Sequence, residues 1–118
     1  VGADGTTRPY AAADADLIAW VHCVFADAFI GSHETWGGPV PGGSDQYVRE
    51  WATAGELMGM ADPPRSRAEL DAAIASYLPV LRRDARVDEA VRWLRNPPLG
   101  RGVGPAYRVI FAGAVASL

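Results

Sequence analysis

His22 is the side chain in this sequence best suited to chemistry, because it interrupts the most apolar helix that the chain can form. Apolar residues lie on nearly every side of segment 14–30 when it is placed on a 3.6-residue repeat, so we expect this helix to be buried on more than one side. A buried imidazole without a partner costs about 1–3 kcal/mol. His22 therefore needs a hydrogen-bond partner, a metal or a cofactor. The residues that share its face are Ile18, Phe25, Ala26 and Phe29.

His33 and Asp27 are the other polar side chains near this histidine in the sequence. His33 lies eleven residues beyond His22 and returns to the same helix face. The rise over that distance is about 16 Å, too long for two ligands of one metal ion. We therefore expect His33 at the surface or at a helix end. Asp27 lies off the immediate face of His22, and we interpret it as a structural partner of an arginine or a backbone amide.

Two further features have structural interpretations. Cys23 is the only cysteine, which excludes an internal disulfide and a zinc finger, so we interpret it as a small core residue. Glycines at positions 100, 102 and 104 resemble a phosphate loop only superficially. No strand precedes them and no Gly-Lys-Ser or Gly-Lys-Thr follows, so we predict an ordinary loop over segment 100–104.

Size and charge are those of one ordinary domain. The chain of 118 residues has a net charge of −3, and its 11 cationic residues are all arginine and are dispersed. This charge gives no general attraction to nucleic acid. No uninterrupted apolar run reaches the roughly 18–20 residues of a membrane span, and no signal peptide is visible. We expect a single domain over residues 1–118, no membrane span and, by default, a cytoplasmic location.

Cap and breaker residues predict about five helices and no strand. The fold class is therefore all-α, with the helices placed around the central apolar helix as a partial helical bundle. That first helix is predicted to follow an N-cap at Asp14 and to run to about Trp36. Asp88 is predicted to cap the fourth helix, which Pro97 stops, and Pro105 suits the first turn of the fifth.

The second and third helices are predicted from similar signals. Ser44 or Asp45 begins the second helix. Ser66 and Glu69 have the spacing of a capping box, in which each side chain satisfies a free amide of the other residue, and Pro79 kinks or ends the third helix. The residues predicted to be buried on the second helix are Tyr47, Val48, Trp51, Leu57 and Met58.

Segment 8–22, which ends in Trp20-Val21-His22, resembles the haem-helix signature of a known oxygenase family. That family includes the mycophenolic-acid-pathway oxygenase and the rubber oxygenases. The similarity covers essentially the whole chain, and the order and spacing of its pieces make it fairly specific. Its further pieces are Asp27, segment 34–39, Tyr47, and segments 55–60, 97–99 and 105–108.

The resemblance implies a b-type haem protein that activates dioxygen and oxidises or cleaves an apolar, isoprenoid-like substrate. It assigns the proximal iron ligand to His22 alone, with haem b as the cofactor. Neutral imidazole is a good ligand for haem iron. The apolar neighbours Ile18, Phe25, Ala26 and Phe29 would cover the macrocycle. The resemblance also implies one of two things: the chain is the C-terminal part of a longer domain, with the distal residues N-terminal to it, or it is a naturally reduced relative that lacks them.

Two other functions stay open. Helices built to pack on a missing half would leave an exposed apolar surface, which favours a non-catalytic binding or oligomerisation module that could form a homo-oligomer. An apolar-ligand carrier would instead have a dry pocket near Phe25 and Phe29.

Overall fold

A computed structural model describes residues 11–99 and 103–116. These residues form five α-helices and one 3-10 helix and contain no strand, which confirms the all-α prediction. Residues 8–10 of the segment that carries the family resemblance, and most of the predicted loop at 100–104, lie outside the described residues. The helices are α1 (Ala15–Trp36), α2 (Ser44–Leu57), α3 (Arg67–Tyr77), α4 (Ala85–Arg95) and α5 (Gly104–Ala116), and the 3-10 helix is Leu78–Val80.

The first helix begins and ends where the sequence predicts. The Asp14 carboxylate accepts hydrogen bonds from the backbone amides of Asp16, at 3.0 Å, and Leu17, at 3.3 Å, and so satisfies two amides of the first turn. The helix ends at Trp36, and the Gly37 amide donates to the His33 carbonyl. α1 is also long and apolar enough to cross a membrane. Core helices of soluble proteins and signal sequences share these two properties, so they assign no membrane location.

Burial of α1 differs from the prediction. Its buried residues are His22, Cys23, Ala26 and Ile30, which lie within about 100° of one another around the helix. Val21, Phe25 and Phe29 are 37%, 53% and 50% exposed. The expectation that α1 is buried on more than one side is therefore wrong. α1 packs against α2 and α3, which cover one side only.

Helix α2 follows two glycines in the left-handed region, Gly42 and Gly43, which that conformation favours. Its buried residues Val48, Ala52 and Gly55 recur at helical spacing. Tyr47 and Trp51 are half-buried, as predicted for that side. The prediction that Leu57 and Met58 are buried is wrong, because they are 86% and 46% exposed. Leu57 lies about 200° from Gly55 around the helix, and the helix ends there.

Helix α3 confirms one half of the predicted capping box. The Ser66 hydroxyl accepts from the Glu69 amide at 3.2 Å. The Glu69 carboxylate accepts from the Arg65 amide, at 2.7 Å, rather than from the Ser66 amide. The helix ends at Tyr77, and Pro79 lies in the 3-10 helix that follows, as predicted for a helix-ending proline.

The start of α4 corrects a predicted cap. Asp84, not Asp88, is the N-cap, since its carboxylate accepts from the amides of Arg86, at 2.9 Å, and Val87, at 3.1 Å. The helix thus begins four residues earlier than the prediction implies. Asp88 lies in the first turn, where its carboxylate accepts from Arg83 Nε at 2.7 Å. The helix ends at Arg95, before the predicted stop at Pro97.

The chain divides into two compact units, one up to Leu81 and one from Arg82. The hydrophobic core lies in the first unit, where α1, α2 and α3 contact one another. The second unit contains α4 and α5, and none of its described residues is buried. The single-domain assignment stays a prediction. The core residues are Cys23, Ala26, Ile30, Val48 and Leu70.

Candidate functional site

His22 is a buried residue of α1 whose ring lies against α2. Its side chain is only 2% exposed. Its Nδ1 atom is buried and has no hydrogen-bond partner, and it is the one such side-chain atom in the part of the chain that the structure describes. The imidazole that the sequence predicts to need a partner therefore has an unpartnered ring nitrogen, and a buried polar atom of this kind calls for an explanation.

Helix α2 contacts both ends of this histidine. The Trp51 ring lies with its centroid 5.7 Å from that of the His22 ring, and its Nε1–H donates to the His22 carbonyl oxygen at 3.2 Å. One turn further along α2, a Cβ built on Gly55 would lie 2.9 Å from Cε1 of His22. The imidazole edge therefore lies directly against the backbone of α2.

Burial also sets the charge of the imidazole. Desolvation lowers the pKa of His22 below its ordinary value of 6.5, because removal from water disfavours the charged ring. The neutral form is thus the one that this site favours near neutral pH. Neutral imidazole is also the form that binds a metal ion.

The structure separates the residues predicted to line the cofactor. Ala26 is fully buried in the core beside α2 and α3, and Ile18 is half-buried. Phe25 and Phe29 lie 6.0 Å apart between ring centroids on the exposed side of α1. The Phe29 ring also meets the Trp51 ring edge-on at 5.8 Å. Each ring therefore contacts the next in the order His22, Trp51, Phe29 and Phe25.

Two open cavities flank this part of the first unit. One, of about 480 Å³, is lined by residues that include Ile18, Met58 and Met60. The other, of about 310 Å³, includes Phe29, His33 and others in its lining. Of these two cavities, Ile18 therefore lines one and Phe29 the other.

Asp27 has the structural role predicted for it. Its carboxylate accepts from an Arg67 guanidinium nitrogen at 2.6 Å, and the same nitrogen lies 2.8 Å from the Asp71 carboxylate. The Arg67 amide donates to Asp45 at 2.7 Å. Arg67 thereby links α1, α2 and α3 at the surface.

The remaining candidates also have structural positions. His33 is exposed in the last turn of α1, as predicted. Cys23 is buried, and burial raises the pKa of its thiol above 9.0, which suits an unreactive core residue. Within residues 11–99 and 103–116, no group of three or more His, Cys, Asp or Glu side chains could hold a metal ion. A haem iron, by contrast, can be held by one histidine.

Three residues near His22 carry no polar side chain by which the sequence could single them out: Gly55, Met60 and Pro63. A Cβ on Gly55 would also lie 2.9 Å from Pro63 Cβ and 3.1 Å from Met60 Sδ, so the side chains of His22, Met60 and Pro63 all border the space beside Gly55. The sequence signal for two of these residues was indirect. Gly55 and Met60 are the first and last residues of one segment that carries the family resemblance.

The sequence matches the ER-bound oxygenase mpaB/B'/rubber oxygenase catalytic domain over residues 1–118. The chain therefore belongs to that family. No curated protein and no solved structure matches the chain significantly.

Proposed function

We propose that this chain is the haem-binding part of an oxygenase, with His22 as the protein ligand to a b-type haem iron. The observation that carries the proposal is the buried Nδ1 atom of His22, which has no hydrogen-bond partner among the described residues. It occurs in a member of an oxygenase catalytic-domain family. An apolar, isoprenoid-like molecule is the proposed substrate, and dioxygen the proposed oxidant.

The residues around His22 fit an imidazole ligand. Burial keeps the ring neutral, and no hydrogen bond competes for Nδ1. A histidine ligand binds a metal through one ring nitrogen and uses the other for an orienting hydrogen bond. The unpartnered Nδ1 of His22 is available for one of these roles. When bound, the haem iron would supply the activation of dioxygen.

Apolar side chains of the chain would cover the cofactor and accommodate the substrate. Phe25 and Phe29 expose about half of their area, a surface that can cover a flat apolar ring and exclude water from it. The cavity lined by Ile18 and Met60 offers about 480 Å³ for an apolar group. Both features lie in the first unit, together with the histidine.

A haem titration of the 118-residue chain tests the proposal. We expect the wild type to bind about one equivalent of ferric haem, with an absorption spectrum typical of histidine ligation. His22→Ala should lose that spectrum. His33→Ala is the matched control, because His33 is exposed on the same helix, and it should behave like the wild type. A His22→Ala spectrum identical to the wild type would refute the assignment.

A second candidate function is a haem-free binding or oligomerisation module. The observation that favours it is the exposed apolar side of α1, formed by Val21, Phe25 and Phe29. Sedimentation of the haem-free chain would test it, beside the variant in which Phe25 and Phe29 are both serine. A wild type that dimerises and a variant that stays monomeric would favour this module. A monomeric wild type that also fails to bind an apolar fluorescent probe would exclude both the module and the apolar-ligand carrier.

A further inference from the structure

Gly55 is the one glycine of α2, and the structure leaves no room there for a side chain. An added Cβ would lie 2.9 Å from His22 Cε1, closer than real Cβ contacts allow. The glycines with a left-handed backbone in the described chain are Gly38, Gly42, Gly43 and Gly59. The backbone conformation at position 55 therefore does not require glycine. The requirement at position 55 is therefore for space beside the imidazole.

Trp51 contacts the same histidine from one helical turn away. Residues four apart lie on one face of a helix, so Trp51 and Gly55 face α1 together. The Trp51 Nε1–H donates to the His22 carbonyl oxygen, and its ring lies 5.7 Å from the imidazole at an interplanar angle of 31°. Trp51 thus contacts the backbone and one side of the ring of His22, while Gly55 leaves the space that the Cε1 edge of that ring occupies.

We infer that Gly55 and Trp51 are positioning residues that fix the rotation of the His22 imidazole. A ring whose Cε1 edge lies against the α2 backbone at Gly55, with the Trp51 ring beside it, cannot turn about its side-chain bonds without meeting one of them. The direction in which each ring nitrogen points is fixed as a consequence. The consequence of this fixed ring orientation for haem ligation rests on the proposed function, whereas the fixed orientation itself does not.

Nuclear magnetic resonance of the haem-free chain tests the geometry directly. In the wild type we expect a nuclear Overhauser contact between His22 Hε1 and the Gly55 α-protons. In Gly55→Ala we expect the Hε1 resonance to shift, because the added Cβ would lie 2.9 Å from Cε1 and displace the ring. Gly104→Ala is the control, because nothing lies within 4 Å of a Cβ at Gly104. It should leave every His22 resonance unchanged.

Haem affinity then tests the consequence for ligation. Groups that orient a metal-binding histidine typically change metal affinity by about 10–100-fold when altered. We expect at least about a tenfold loss in Gly55→Ala, with the helical circular dichroism retained. Should Gly55→Ala fail to fold, Trp51→Phe decides, since it keeps an aromatic ring and removes the N–H; it should shift the His22 resonances.

The possible outcomes separate the two proposals. A wild type that shows the Hε1 contacts but binds no haem supports the positioning role and refutes the proposed function. A wild type that binds haem, with a Gly55→Ala variant of unchanged affinity and unchanged His22 contacts, refutes the positioning role alone. Absence of the Hε1–Gly55 contact in the folded wild type also refutes it.

Discussion

The two units of this chain have similar helices and very different interiors. Both contain helices that begin at an aspartate cap, Asp14 in the first unit and Asp84 in the second. Both carry many apolar residues. Yet the described residues of the second unit include none that is buried, and Val109 and Ile110 are 74% and 70% exposed. Caps and apolar spacing thus specify a helix, whereas burial depends on three helices that contact one another, as α1, α2 and α3 do.

The largest expected effect comes from truncating the core of the first unit. Leu70→Ala should lower the free energy of unfolding by about 2–5 kcal/mol, because Leu70 is fully buried and its loss leaves a cavity. Ile110→Ala, in the second unit, should change it by no more than about 0.5 kcal/mol. Urea unfolding followed by circular dichroism measures both values. Equal costs would break the contrast between the units.

The next largest effect is expected at His22, because its unpartnered Nδ1 atom is buried in the first unit. His22→Leu should raise the free energy of unfolding by about 1–3 kcal/mol, because it removes a buried nitrogen without a hydrogen bond. His33→Leu, at an exposed position, is the control and should change stability little. Thermal and urea unfolding provide the measurement. A destabilised His22→Leu would mean that the imidazole is satisfied in solution.

A smaller effect is expected at the surface of the first unit. Asp27→Asn should cost about 0.2–1 kcal/mol, because Asp27 and Arg67 are both partly exposed and exposed ion pairs contribute little. A double-mutant cycle with Arg67→Met isolates the pair. The coupling should shrink in high salt. A coupling above about 2 kcal/mol would show that Arg67 holds the three helices together more strongly than its exposure implies.

The smallest effect concerns the cap of the second unit. Hydrogen bonds from the amides of Val87 and Arg86 hold the pKa of Asp84 below 3.8. The folded pKa is depressed, so the cap's contribution is present above pH 3.8 and is lost as the pH falls through the folded pKa. Carboxyl ¹³C resonances against pH would measure this pKa. Asp84→Asn keeps an acceptor for these amides and should remove the pH dependence of α4 helicity. A normal Asp84 titration would contradict the cap.

Local signals predicted much of the fold. The Asp14 cap, the end of α1 at Trp36 and the all-α class follow from residues next to each other in the chain. The cap of α4 was misplaced because Asp84 and Asp88 are equally good local candidates. The exposure of Phe25 and Phe29 could not be predicted either, since periodicity shows which residues share a face but not which face meets a partner.

The candidate site shows the same division. His22 stands out in the sequence because a polar residue in an apolar helix is conspicuous. Gly55 lies against it from α2, and the role of that residue is to leave space rather than to supply a polar group. Contacts of that kind depend on how α1 and α2 approach each other, which no spacing within one helix specifies.

Resonance Raman spectroscopy of the haem-loaded, ferrous chain would test whether His22 is the iron ligand, because it detects the bond between iron and imidazole. Protein labelled with ¹⁵N in the histidine rings should show a shifted iron–histidine vibration. His22→Ala should lack that vibration, and His33→Ala should retain it. This result would establish His22 as the iron ligand. A vibration that persists unchanged in His22→Ala, or a wild type with no isotope-sensitive band, would contradict the assignment.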